Sequence, residues 1–167
     1  LDAALAEDAD FGGAWALRAG LLTQQTDKAF ADEIAKSLRA AAAARLNDRE
    51  RMHLSAAQDW AEGRFIEGTM RYGRINQEHP RDVAALQYAH VGCFFVGMQQ
   101  ELRDWTLHAL RAFEQGEDGY SQIQGMAAFG LEECGDYAQA EASGRGAMQG
   151  DPRDGWAVHA VAHVYEM

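Results

Sequence analysis

Three glycines set the frame of this chain. Gly63 and Gly97 are 34 positions apart and Gly97 and Gly135 are 38 apart, each at the end of an apolar stretch with helical spacing. Glycine accepts left-handed backbone dihedrals, so its recurrence at such places marks repeated helix C-termini. A second marker has the same phase. Pro80 and Pro152, in HPRD and DPRD, are 72 apart, which is two periods of 34 plus the same four residues. Proline cannot continue a helix interior, so both mark breaks. The four extra residues are expected at Glu117-Asp118-Gly119-Tyr120, between two helices. A period of this size specifies an array of like units that share seams, which a chain with one central core does not need.

The stretches between these markers read as helix pairs. Leu1 to Glu7 is expected to end a helix of a preceding unit. Phe11 to Thr23, with Trp15, Leu17, Leu21 and Leu22, opens the first pair, and Gly12-Gly13 reads as a turn. Asp27 to Leu46 is its partner, where Phe30, Ile34 and Leu38 at intervals of four predict a buried stripe and the alanines from 40 to 44 favour helix. Asn47 or Asp48 is placed to cap the next helix. The second pair spans Arg49 to Glu62 and Arg64 to Gln77, with Met52, Ala56, Phe65, Gly68, Tyr72 and Ile75 as its seam. The third spans Asp82 to Val96 and Gln99 to Gln115, with Leu102, Trp105, Ala109, Leu110 and Phe113 as a stripe. Its Cys93-Phe94-Phe95-Val96 run is apolar on all sides and predicts cover on more than one face. The fourth spans Ser121 to Cys134 and Tyr137 to Gln149, where alanines 138, 140, 142 and 147 allow close packing. Trp156 to Met167 is a fifth first helix without a partner.

GDYAQAE, a small-residue helix and then DPRD resemble the second half of a tetratricopeptide repeat. The order HPRD, ALQYAHVGCFFVG, GYSQIQGMAAFGLEECGDYAQAE and DPRDGWAVHAVAHVYEM further resembles the tetratricopeptide repeat protein 38 family. That likeness extends over most of the chain, including DFGGAWALRAGLL and NDRERMHLSAA. It implies a curved all-α array in the cytosol and brings no established reaction with it. The expected fold is thus all-α, with tetratricopeptide-like helix-turn-helix repeats stacked into a right-handed superhelix. Residues 1–167 form one such domain of about four pairs plus the last helix. The missing initiator Met and the end at Met167 in mid-helix predict a fragment of a longer chain.

Composition narrows the function. With 15 basic against 26 acidic residues the net charge is −11. Nucleic acids and anionic membrane surfaces are therefore excluded as partners, since both are held by Lys and Arg. The acidity serves solubility first, and a basic ligand is the sharper reading. No window approaches the ~18 apolar residues of a membrane span, and LDAALAEDADF has neither the basic region nor the apolar core of a signal peptide. Cys93 and Cys134, 41 apart, form no CxxC and read as small packing residues. No phosphate loop, nucleophile elbow or dinucleotide fingerprint is present, so no cofactor is expected.

The first helices of such an array line its concave groove. Stepping by the period places there Leu17, Leu21, His53, Ala57, Gln87, Val91, Phe94, Phe129, Glu132, Glu133, His159, His163 and Glu166. Mostly apolar, acidic or His, this set does not suit a Lys/Asn clamp for a peptide carboxylate. Gln87, Phe94, Phe129, Glu132, Glu133, His159, His163 and Glu166 are the expected ligand-binding residues. His159 and His163, four apart, share one helix face at the spacing used for metal ligation, although the inner Glu of HExxH is lacking. His90 reads as packing, His79 as solvated, His108 as outward, Trp60 as partly exposed near the groove, and Trp15, Trp105 and Trp156 as seam residues. The expected function is a scaffold that holds a peptide or partner segment in the groove. The alternative is a metal-dependent or acid–base enzyme or small-molecule binder using the His/Glu cluster. Self-association through the unpaired last helix is a third.

Overall fold

The computed structural model describes residues 1–167 and is helical throughout. Its helices are α1 (Asp2–Glu7), α2 (Gly12–Thr23), α3 (Ala31–Ala43), α4 (Asp48–Ala61), α5 (Phe65–Glu78), α6 (Val83–Val96), α7 (Gln99–Leu110), α8 (Tyr120–Glu133), α9 (Tyr137–Gly150) and α10 (Gly155–Glu166). None is long and apolar enough to cross a membrane.

The helix ends are written in local chemistry. Asn47 and Glu50 form a reciprocal capping box at the start of α4. Asp82 and Asp154 cap α6 and α10 by accepting from backbone amides of their first turns. Gly63, Gly97 and Gly135 take φ of 78°, 75° and 80°, left-handed values that a side chain resists, and each turns the chain into the next helix. Of the residues expected between two helices, Glu117, Asp118 and Gly119 lie in the connection between α7 and α8, and Tyr120 opens α8.

Helices pack as consecutive hairpins, α2 on α3, α4 on α5, α6 on α7 and α8 on α9, and each hairpin also meets the next. The direction follows from which ends touch. His53, early in α4, reaches Asp82 at the start of α6, while Trp60, late in α4, lies beside Phe95, late in α6. Phe94 then meets Phe129 of α8. Helices α4 and α6 therefore run the same way. One apolar seam joins these layers through Tyr72, Ile75, Leu86, Leu102, Ile123, Met126 and Phe129. Close approach is built in at Gly73, where an added Cβ would lie 2.3 Å from the Trp105 indole.

Several local expectations change. Gly12-Gly13 is the buried first turn of α2 and not a turn between helices. Asp27 to Leu46 breaks into a 3₁₀ turn at Lys28–Phe30 and the shorter α3. The Phe30, Ile34 and Leu38 stripe is only half-buried, because the pair α4/α5 does not close over it. Helix α7 ends at Leu110, five residues early. Phe65 is 47% exposed and not a seam residue. Most consequentially, Phe94 and Phe95 are 49% and 52% exposed, so the second face of the end of α6 has no cover. On α9 only Ala140 and Ala147 of the four alanines are buried, and Gly144 against Val161 provides the close contact with α10.

Candidate functional site

Apolar helix ends on parallel neighbours place their rings in register. The result is a continuous track of rings across α4, α6, α8 and α10 and the start of α5. From Phe65, Trp60 lies 5.1 Å away edge-on, and Phe95 lies 6.3 Å beyond Trp60. Phe95 and Phe94 are 5.8 Å apart, and Phe94 and Phe129 5.7 Å. Phe129 meets His159 edge-on at 5.3 Å, and the His159 and His163 rings lie 4.2 Å apart, tilted by 60°. His163 Nδ1 closes the sequence at 3.4 Å from Glu132 Oε2. At the other end a hollow of about 520 Å³ opens beside Trp60 and Phe65, walled by Leu22, Ile34 and Leu38.

Burial divides the track into floor and surface. Trp60 is 3% and Phe129 1% exposed, so these two are floor. Trp60 was expected at the surface and Phe129 to touch a ligand. Instead Trp60 packs into the α4–α5 seam and Phe129 lies among Phe94, His90, Trp156 and His159. Phe65, Phe94, Phe95 and His159 are surface, and His163 is half-buried. Gln87 is half-buried, with Phe94 seven residues later on the same face of α6. Glu132 is almost buried against His163, whereas Glu133 is half-exposed, Glu166 exposed, and neither is in an ion pair. Phe95, Phe65 and the hollow were not among the expected residues. The Phe-Phe pair just before Gly97 was the signal for the first of them.

The remaining histidines have other employment. His90, fully buried, shares its Nε2 with the Met126 carbonyl at 3.1 Å. Burial drives its pKa down to about 4 despite that bond, so it is a neutral packing residue near pH 7. His53 is 4% exposed, which removes it from the groove surface. Its Nε2 is 3.0 Å from Asp82 Oδ2, and Arg49 lies 3.6 Å from the same oxygen. Burial pushes the Asp82 carboxyl up, but His53, the Ala85 amide and Arg49 together outweigh it and hold the carboxyl below its ordinary value. His79 and His108 are exposed. Cys93 is buried and its thiol is pushed up to about 12 by burial and by Glu101, so it is no nucleophile. Cys134 sits just past the end of α8 with its thiol donating to the Gln99 carbonyl.

As for metal, His159 and His163 are near one another, but no group of three His, Cys, Asp or Glu side chains is placed to hold an ion. What the geometry offers is an exposed apolar and π surface with acids at one end and a hollow at the other. The chain matches no family model and no solved structure.

Proposed function

We propose that this chain is a tetratricopeptide-like repeat array of the tetratricopeptide repeat protein 38 type, coiled as a right-handed superhelix, and that it is a binding scaffold. Its concave face would be formed by α2, α4, α6, α8 and α10, and a peptide or partner segment would lie along it. The observation that carries this reading is the exposure of Phe94 and Phe95 at about half their surface in the middle of a continuous ring track. A folded chain gains roughly 1.5–3 kcal/mol by burying one large apolar side chain. Leaving two adjacent ones in water is a standing cost that a partner removes. The regular left-handed glycines and the parallel run of α4 and α6 support the repeat reading. Catalysis or metal binding at His159 and His163 is the weaker reading, since only Glu132 joins them and it is already engaged by His163.

The test is selection of a randomised displayed-peptide library on the immobilised chain, with the Phe94→Ser, Phe95→Ser protein as counter-selection. Clones that bind the native chain and not the double variant are expected. Recovery only of clones indifferent to the two substitutions would remove the reading.

A further inference from the structure

The track has a charge character that the whole-chain balance does not reveal. Helices α6, α8 and α10 together contain no Lys or Arg; their only charged carboxylates are Glu132, Glu133 and Glu166. Helix α8 ends on Glu133 and α10 on Glu166, where the backbone dipole is already negative. Several carboxylates elsewhere in the chain are neutralised internally, such as Asp59 by Arg64 and Arg71, Glu117 by Arg81 and Glu141 by Arg145. Glu133 and Glu166 have no such partner, and Glu132 has only His163.

The rings show the same vacancy. Cations of this chain that lie over aromatic faces do so at Trp15, Phe113 and Tyr165, all off the track. Phe65, Phe94 and Phe95 are exposed and carry none. Arg103, packed against Gly130 of α8 from the α7 side, is paired with Asp104. Exposed ring faces attract cations through the ring quadrupole, and unpaired carboxylates at helix C-termini attract them through charge.

Resting on the groove reading above, we propose that the track takes a basic peptide segment, with Arg or Lys side chains over Phe94 and Phe95 and ion-paired to Glu133 and Glu166. The partner's apolar residues lie along the rings toward the hollow between α3 and α5. Arg suits this surface best, because its planar guanidinium stacks on rings and pairs with a carboxylate at once. An acidic or phosphorylated segment meets repulsion at the same place.

The peptides recovered by the selection give the first readout, and synthetic copies of them, followed by fluorescence anisotropy, give the second. A pool enriched in Arg and Lys is expected. Affinity of those peptides should fall about tenfold with Phe94→Ala and Phe95→Ala, and about tenfold with Glu133→Lys and Glu166→Lys. The equal charge change Asp8→Lys and Asp10→Lys, on the exposed connection between α1 and α2, should alter affinity less than about threefold. A pool with no basic bias, yet dependent on Phe94 and Phe95, overturns the basic partner and leaves the groove standing. Equal losses from the two charge-reversal pairs overturn it as well, by reducing the effect to net charge. No peptide that depends on Phe94 and Phe95 overturns both readings.

Discussion

His53 Nε2 lies 3.0 Å from Asp82 Oδ2, and this bond ties the first half of α4 to the start of α6. Asp82 uses its other oxygen to cap α6 through the Ala85 amide, so one carboxylate serves a seam and a helix end together. Asp82→Ala should destabilise the chain by about 2–4 kcal/mol, from a lost cap and a buried imidazole left without its partner. Asp82→Asn, which keeps an acceptor, should cost less. Urea unfolding of both variants checks this. The carboxyl is held below the usual 3.8, so its contribution is present above that value and is lost as pH falls below it.

His90 makes an acid-sensitive core. Its pKa is about 4 folded against 6.5 for the free side chain. The unfolded chain therefore takes up a proton first, and stability falls as pH drops from 6.5 toward 4. The loss is on the order of 3 kcal/mol. Denaturant midpoints measured across this window should drop less steeply in His90→Gln, which retains a donor for the Met126 carbonyl. Parallel slopes for the two proteins would contradict the burial of a neutral ring.

The left-handed glycines and the crowded glycine should behave differently. Gly63→Ala, Gly97→Ala and Gly135→Ala meet no atom within 4 Å and are strained only in φ. Each should cost about 1 kcal/mol, less with Asn. Gly73→Ala would place its Cβ against the Trp105 ring, and its cost of about 1–3 kcal/mol should not be relieved by Asn. Thermal melts of the four alanine variants separate the two mechanisms.

Floor and surface of the track should separate cleanly in stability. Phe129→Ala should cost about 3–5 kcal/mol, as for a large ring removed from a core. Phe94→Ser and Phe95→Ser should stay within about 0.5 kcal/mol of the native chain or stabilise it slightly. A large loss from either exposed Phe would mean that it packs inside.

Purified without an affinity metal, the chain should hold well under one equivalent of zinc by mass spectrometry, because His159 and His163 have no third ligand in place. A full equivalent, lost in His159→Ala with His163→Ala, would revive the metal reading.

Much of the helix framework was legible from local pattern. The helix ends at Gly63, Gly97 and Gly135, the Asn47 cap and the connection before α8 all depend on residues a few positions apart, and the structure has them where the pattern puts them. Of the site, His159 and His163 were legible as neighbours from their spacing of four, while Glu132 and Glu133 were equal candidates beside them and the structure brings Glu132 to His163. Their role as ligands is a proposal still.

Helix starts and stops follow from local chemistry, because caps, left-handed glycines and apolar spacing act within one or two turns. Which apolar faces are covered is settled by how the helices are placed in space. Phe94 and Phe129 carry the same side chain in the second halves of their helices, yet one is 49% and the other 1% exposed. His53 and His159 likewise share a pattern and differ in burial. Spacing along one helix states that a face is apolar; whether a neighbour arrives to bury it depends on the placement of other helices. Here α10 covers Phe129 through Trp156, and nothing in the chain covers Phe94 and Phe95.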